Sequence, residues 1–582
     1  YRPLVRTTFA IEMDLTGIDP GISHAINVIL YLLMILILFK VLKRLFRGYN
    51  IFFPFLITLI FIAHPVHTEI VASLKNRDEI LAFGFALLAL DYFLKFIDFK
   101  KQRFLIWGVF FYLLAFLSKA SVFAFLLVIP LIFYFFTNIK LKNIIILALA
   151  FIGMALFAAF FPKVILPDMS RPIEMVENPL AFNTSLWDHL GTGLYIILYY
   201  LRLLFYPHPL VFYYGYNMVP VVSLGNIWAI LSLVIYSGMF VYAILRIKSK
   251  NALSFAILFY MVSIAMYSNI LVPIPGIIAE RFLLIPSLGF SIAIVYLLFL
   301  LFRADLKGSP KFNTRMAGIS LIVLIILIPY AIKTYSRNID WRTNFSLYKA
   351  DLPYLENSVK AHDFYAEQLM RQVNKELQKP VDVTKFLRPT IDEAITHWKK
   401  AVEILPSHYS SWTNLGIIYS RIYKEHDDAI LCFEEALKYK PDHGKALFNL
   451  GQALEAEGQL EDAILRYEEC IKYSDDVINP RSRLSNVYFM TGNYRKAIEL
   501  NEEIMQIDPD EPLPYVNFGN YYMNRTDTVK AISFYEQAVV KGAPAQVSIF
   551  LMKYYDSKGE INKRDHYKAI AQKQMEGSVV KP

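Results

Sequence analysis

Two cysteines, Cys432 and Cys470, are too few for a disulfide framework in a chain of 582 residues, and their spacing matches no metal-binding pattern. No glycine-rich phosphate loop occurs either, which removes the usual cradle for a nucleotide. Charge is scarce over long stretches before residue 334, where apolar runs dominate, and only beyond it does the sequence turn polar. Two compartments follow, one for the membrane and one for water. The net charge of +9 gathers at the ends of apolar runs, an orientation signal for a membrane protein and not a nucleic-acid footprint. Nucleic acid is therefore not an expected partner.

A membrane-spanning helix needs about 20 apolar residues. Runs that approach this lie near 24–46, 51–67, 80–97, 104–118, 121–138, 142–161, 225–246, 252–275, 283–303 and 316–333, which predicts ten crossings. The segment 188–206 is also apolar, but His208-Pro209 and the tyrosines Tyr213, Tyr214 and Tyr216 follow it, so it reads as an interfacial or re-entrant helix. Lys40, Lys43, Arg44 and Arg47, then Lys100, Lys101 and Arg103, then Lys140 and Lys142, all fall on one face if 188–206 does not cross. By the positive-inside rule that face is cytoplasmic. Residues 1–23, 64–79, 118–121, 163–224, 276–282 and everything after 334 then lie outside it, in the periplasm or extracellular space, or in the endoplasmic reticulum lumen of a eukaryote.

The polar part carries a 34-residue period. Trp412-x2-Leu415-Gly416-x2-Tyr419, then Ala429-x3-Phe433 and Pro441, reproduces the tetratricopeptide pattern. Ala429, Ala463, Ala497 and Ala531 recur every 34 residues, with Gly416, Gly451, Ser485 and Gly519 at the matching small position of the first helix. Paired helices that cross closely require small residues there, while Phe433, Tyr467 and Tyr535 fill the space beside the crossing. Cys470 falls where neighbouring repeats have Ala436 and Ala538, as a buried small apolar residue does. The expected architecture is all-α, with a polytopic membrane domain over 1–333, a junction over 334–357 and a solenoid over 358–582, whose first unit holds an insertion near 376–389.

Polar clusters at membrane level are costly and tend to be functional. The densest is His64-Pro65-Val66-His67-Thr68-Glu69, followed by Lys75-Asn76-Arg77-Asp78-Glu79. Two histidines three apart and a carboxylate two further on suit either a divalent cation or a phosphate. The plainer reading makes the histidines helix caps and 75–79 a solvated turn, with Lys75 facing water. Arg2, Lys119 and Arg281 run against the charge bias of their side, where a lipid phosphate gives a cation a purpose. The plainer reading of Arg281 is an ion pair with Glu280.

Tyr1-Arg2-Pro3-Leu4, the His64–Glu69 run with Arg77 and Glu79 after it, Ser118-Lys119, and Ala279-Glu280-Arg281 followed by Pro286-Ser287-Leu288-Gly289-Phe290 keep a characteristic order. With Arg337-Asn338-x-Asp340-Trp341-Arg342 running into repeats, the chain resembles the transmembrane and tetratricopeptide repeat-containing O-mannosyltransferase family. The resemblance implies a GT-C glycosyltransferase fold and a polyprenyl- or dolichyl-phosphate sugar donor, the sugar being mannose. It implies Ser or Thr of a translocated polypeptide as acceptor, with the repeat groove to hold it. Two departures stand out: Ala120 takes a place that is usually Glu, and the expected acidic pair, with an earlier span, lies upstream of Tyr1. The catalytic base is thus unassigned, and the substrate and phosphate contacts are expected from Arg2, His64, His67, Glu69, Arg77, Glu79, Lys119, Glu280 and Arg281. No metal ligand set and no firm cofactor is assigned. Two other classes fit the same features: a membrane-anchored repeat scaffold, and a lipid-glycan transporter, which the lack of a clear inverted repeat disfavours.

Overall fold

The computed structural model describes residues 2–149, 152–153, 172–182, 184–270, 272–308, 313–377, 384–474 and 476–577. The chain divides into two compact units, Tyr1–Ala361 and His362–Pro582. Regular structure among the described residues is helical throughout, apart from the isolated bridges Tyr49–Lys307 and Tyr214–Ile278.

The first unit opens with α1 (Pro3–Thr16) and α2 (Pro20–Leu45), the latter capped by Asp19, whose carboxylate accepts from the Gly21 and Ile22 amides. There follow α3 (Phe52–Ala63), the short α4 (Thr68–Ala72), α5 (Arg77–Phe99), α6 (Gln102–Ser118) and α7 (Phe125–Phe136). Beyond them come α8 (Leu186–Phe205), α9 (Ile227–Leu245), α10 (Ala252–Ala265), α11 (Pro286–Leu301) and α12 (Thr314–Asp340). A run of edge-to-face rings knits α3, α7, α10 and α11 to the end of α2: Phe46 on Phe53 at 5.0 Å, Phe53 on Phe299 at 5.5 Å, Phe46 on Phe136 at 5.2 Å and Phe136 on Phe255 at 4.8 Å.

Among the described residues four helices are long and apolar enough to cross a membrane: Pro20–Leu45, Leu74–Phe99, Ile227–Leu245 and Thr314–Asp340. This is an integral membrane protein, but several of the ten runs expected to cross are not single helices of full length. The run 51–67 is helical only to Ala63 and then bends by 55° into Pro65–Ala72. The run 252–275 is helical only over 14 residues, about 21 Å at 1.5 Å per residue. Hydropathy counted apolar residues in the turns beyond, where Pro273 and Pro275 cannot continue a helix. Gln102–Ser118, Ala120–Phe136 and Pro286–Leu301 are likewise shorter apolar helices. Half of the run 142–161, and residues 378–383 of the solenoid insertion, lie outside the described residues.

In the second unit, antiparallel helix pairs follow the repeat. Ala394, Ala429, Ala463, Ala497 and Ala531 have no exposed surface, and Ala436, Cys470 and Ala538 are equally buried. A Cβ built on Gly416, Gly451 or Gly519 would stand 2.6, 2.6 and 2.5 Å from the rings of Phe433, Tyr467 and Tyr535. Only glycine admits the ring at that distance. In the third repeat the pattern changes to a buried polar set: Asn501 Nδ2 donates to Ser485 Oγ at 2.6 Å, and Asn517 Nδ2 donates to Asn501 Oδ1 at 3.0 Å.

The Tyr467 ring is buried and its hydroxyl donates to Glu455 at 2.7 Å, so it has little room to retreat. Gly451→Val should destabilise helices Gly444–Ala456 and Leu460–Tyr473 by about 1–3 kcal/mol, read as lost hydrogen-exchange protection in the full chain. Adding Tyr467→Leu should recover part of that loss; equal protection in the single variant and the parent would contradict the close crossing.

Candidate functional site

Helix α3 stops at His64 because Pro65 follows it and drives the preceding residue out of the helical region, here to φ −66° and ψ 122°. The chain then folds through the turn Pro65–His67, α4 and the turn Leu74–Asn76 into α5, whose first turn carries Arg77, Asp78 and Glu79. Carboxylates suit a helix start, where the backbone amides point outward. Lys119 ends α6 in an extended conformation, and Glu280–Leu283 forms a short turn before α11. Together these segments bring the charged residues of the sequence into one cluster.

Asp78, Glu79 and Glu69 are buried, and each is paired with a cation. Asp78 receives Arg2 and, at 3.2 Å, Lys119. Glu79 pairs with Lys119 at 2.7 Å and accepts from Ser121 Oγ at 2.9 Å. Glu69 takes Arg281 twice, through the guanidinium at 2.6 Å and through the backbone amide at 2.9 Å. An unpaired buried carboxylate would cost several kcal/mol, so these pairs are a condition of folding as well as a feature of the site. The ion pair of Arg281 with Glu69, not with the adjacent Glu280, replaces the plainer expectation from the sequence.

Arg77 is fully enclosed. It pairs with Glu12 at 2.7 Å, donates to Asn27 Oδ1 at 2.8 Å and to the Ser23 carbonyl at 3.2 Å, and lies 4.0 Å from the centre of the Phe9 ring. Burial works against the Glu12 anion, but the Ser23 hydroxyl and Arg77 outweigh it and hold that carboxyl below its usual range. Arg77 thus ties α1, α2 and α5 together and has no surface left for a ligand.

Both histidines are also committed to the fold. His64 Nδ1 accepts from the Val66 amide, so Nε2 carries the proton and donates to the Leu204 carbonyl at 2.9 Å. The Ser287 hydroxyl gives its proton to the Leu284 carbonyl and therefore accepts from His67 Nε2 at 3.0 Å. His67 Nδ1 then accepts from the Tyr31 hydroxyl at 2.8 Å. With four ring nitrogens engaged, the His-x2-His-x-Glu spacing builds no metal cradle. No group of three or more His, Cys, Asp or Glu side chains suited to an ion occurs among the described residues.

What remains open is cationic. Lys119 and Arg281 keep 13% and 22% of their side-chain surface exposed. Lys75 is exposed and within electrostatic reach of Arg281, Lys119, Glu69 and Asp78. Among the described residues no carboxylate forms an ion pair with it. Lys75 faces water, as its place in a solvated turn implies, and the turn Leu74–Asn76 also keeps it within electrostatic reach of the other two cations. Asn76, Ser121, Ser287 and Tyr31 were not singled out as site residues, because their role depends on partners up to 220 positions away.

On the far side of Arg281, Glu280 is 1% exposed; its Oε1 accepts from the Tyr214 hydroxyl at 3.2 Å, and its Oε2 has no hydrogen-bond partner. Burial pushes this carboxyl up to about 8, with Arg337 opposing and Glu69 and Asp351 reinforcing the shift. Arg337 grips Asp351 through two bonds of 2.5 and 2.8 Å, and Asp351 also accepts from the Phe212 amide, which fixes the wall behind Glu280.

The tetratricopeptide repeat family matches residues 425–475 and 454–517. The chain is 30% identical over 380 residues to the protein O-mannosyl-transferase F38B6.6 of Caenorhabditis elegans, a match covering 62% of this chain and 50% of that protein. It is 25% identical over 476 residues to the protein O-mannosyl-transferase TMTC1 of Homo sapiens, covering 72% and 49%. With human TMTC3 the figures are 22% over 529 residues, 78% and 55%. The chain therefore spans about half the length of the curated relatives it matches. A solved repeat protein, YrrB, described as having an unusual peptide-binding site, overlays at a TM-score of 0.28 with 16% identity, covering 35% of this chain and 97% of that one.

The Glu280 carboxyl sets a pH dependence. Its folded value lies above the ordinary 4.5, so the folded state holds the proton more tightly than the unfolded chain. Its contribution to stability is full below pH 4.5 and is lost as the pH rises to about 8. Glu280→Gln cannot titrate and should gain thermal stability relative to the parent as the pH rises from 5 to about 8. A parent–variant difference that stays constant over this range would show that Glu280 is ionised throughout.

Proposed function

We propose that this chain, a relative of the transmembrane and tetratricopeptide repeat-containing O-mannosyltransferases, is a GT-C-type enzyme. It moves mannose from a polyprenyl or dolichyl phosphate to Ser or Thr of translocated polypeptides. The observation that carries the reading is the gathering of Lys75, Lys119 and Arg281 at the start of α5, partly open, against buried carboxylates that hold two of them in place.

The acceptor oxygen attacks the anomeric carbon while its proton passes to a general base; the bond from that carbon to the phosphate oxygen breaks, and the electron pair leaves on the lipid phosphate. Negative charge therefore grows on the phosphate. Cations already fixed in a poorly hydrated site stabilise that charge with little reorganisation, which is commonly a large part of catalysis. Glu69 orients Arg281, Asp78 and Glu79 orient Lys119, and Arg2 shares Asp78. His64, His67 and Glu280 shape the wall beside them, and Arg77 holds the surrounding helices. The repeat unit, on the extracytoplasmic side, takes the acceptor polypeptide along its concave face. A plain scaffold has no use for so many charges buried at the ends of its spans, since each costs stability unless paired.

Lys119→Met and Arg281→Gln should each lower mannose transfer from dolichyl phosphate mannose to a Ser/Thr-rich peptide by about a hundredfold or more. Lys75→Gln should also lower it, while the exposed Lys248→Gln should not. Arg77→Leu should instead lower the melting temperature. If all three site variants stay within a few-fold of Lys248→Gln, the phosphate is bound elsewhere.

A further inference from the structure

The helices that build the candidate site run to a second polar site at their other ends. Between the ends of α2, α5 and α7 lies a cavity of about 490 Å³. Arg44, Arg47, Lys100, Asn138 and Asn143 line its polar side, with Asp98 among them; Leu45, Ile97 and Phe136 contribute an apolar wall. The 23 residues of α5 measure about 35 Å at 1.5 Å per residue, slightly more than the apolar thickness of a bilayer. The two sites therefore occupy opposite faces of the membrane, and one lipid headgroup cannot occupy both.

Charge around this cavity is not balanced. Asp91, 1% exposed, is met by Lys40 at 3.0 Å, Lys95 at 2.8 Å and Arg44 at 3.2 Å. Asp98 takes the other arm of Arg44 at 2.6 Å and stands 3.7 Å from Arg47. Five cations, counting Lys100, thus surround two carboxylates. Arg44 is spent on both, whereas Arg47, 73% exposed, and Lys100, held by a left-handed backbone at φ 54°, keep donors for something else. The amides of Asn138 and Asn143 add neutral hydrogen-bonding groups on the third side.

We infer that this cavity binds the phosphate of an anionic glycerophospholipid, with Arg47 and Lys100 on the headgroup and Leu45, Ile97 and Phe136 along the first acyl carbons. The apolar wall favours a lipid over a free phosphate, which needs no such wall. The charge bias puts this face in the cytoplasm, where anionic lipids are concentrated and nearby basic residues strengthen their attraction. The inference does not rest on the transfer reaction.

The test is binding of dioctanoyl phosphatidylglycerol to the full chain in a zwitterionic detergent, measured by titration calorimetry. Dioctanoyl phosphatidylcholine and inorganic phosphate are the comparison ligands. Phosphatidylglycerol should bind at least tenfold more tightly than either. Arg47→Gln with Lys100→Gln should weaken it about tenfold or more, while Lys248→Gln should not. Asn143→Phe fills the cavity without altering charge and should weaken it as well. Arg47 and Lys100 are exposed at their helix ends, so their variants should melt within a few degrees of the parent, and binding by the double variant at parental affinity overturns the proposal. So does unchanged binding by Asn143→Phe, which would make the attraction a diffuse surface effect. Equal affinity for inorganic phosphate would overturn the lipid as ligand.

Discussion

Asp78 has no surface open to water, yet it sits at the end of an apolar helix bundle where a lone anion would be driven to take up a proton or unfold its surroundings. Lys119 and Arg2 supply the opposite charge that it needs there. The same requirement governs Glu69 with Arg281, Glu79 with Lys119 and Glu12 with Arg77, and each pair joins segments far apart in the chain. Pairing buried charge is thus the constraint that assembles the first unit at this end. The aromatic core below it can tolerate small shifts, whereas a misplaced partner leaves a charge stranded in a medium that cannot solvate it. The same pairs anchor Lys119 and Arg281 on one side against the helix bundle.

The paired charges also sort the cations by role. Arg77 and Arg337 are enclosed and paired with buried carboxylates, so they hold the framework. Lys119 and Arg281 are anchored on one side and partly open on the other, and Lys75 has the open side alone. At the opposite ends of α2 and α5 the division repeats, with Arg44 committed to Asp91 and Asp98 and with Arg47 and Lys100 left available. A long helix with charge only at its ends, as α5 nearly is, presents two polar faces separated by a bilayer thickness, and both faces use the same device.

The solenoid is held by a different force. Its close helix crossings at Gly416, Gly451 and Gly519 rest on shape, an aromatic ring against a residue without a side chain. Apart from the buried Asp363, which accepts from Trp398 and Ser411, the ion pairs among its described residues are mostly between neighbours three or four positions apart on exposed helix faces, where each contributes little. Repeats can therefore be read one at a time, since each needs only its neighbours.

That difference explains what the sequence determined by itself. The all-α class, the presence of membrane spans, the repeat period and the small-against-aromatic positions of the solenoid all depend on residues close together in the chain, and all are legible without coordinates. So is the list of charged residues out of place in a membrane protein, and so is the family resemblance, which the matched relatives bear out. Helix breaks at His64-Pro65 and after Ala265 were less legible, because apolar turns and apolar helices look alike in a hydropathy count. Tertiary structure alone decided which cations are spent and which are open. Arg77 and Lys75 are two residues apart, yet one is enclosed by Glu12, Asn27 and Phe9 while the other faces out beside Arg281, 206 positions on. No local pattern separates them, since the partners that consume or spare a charge arrive from other helices, and burial is a property of the assembled bundle.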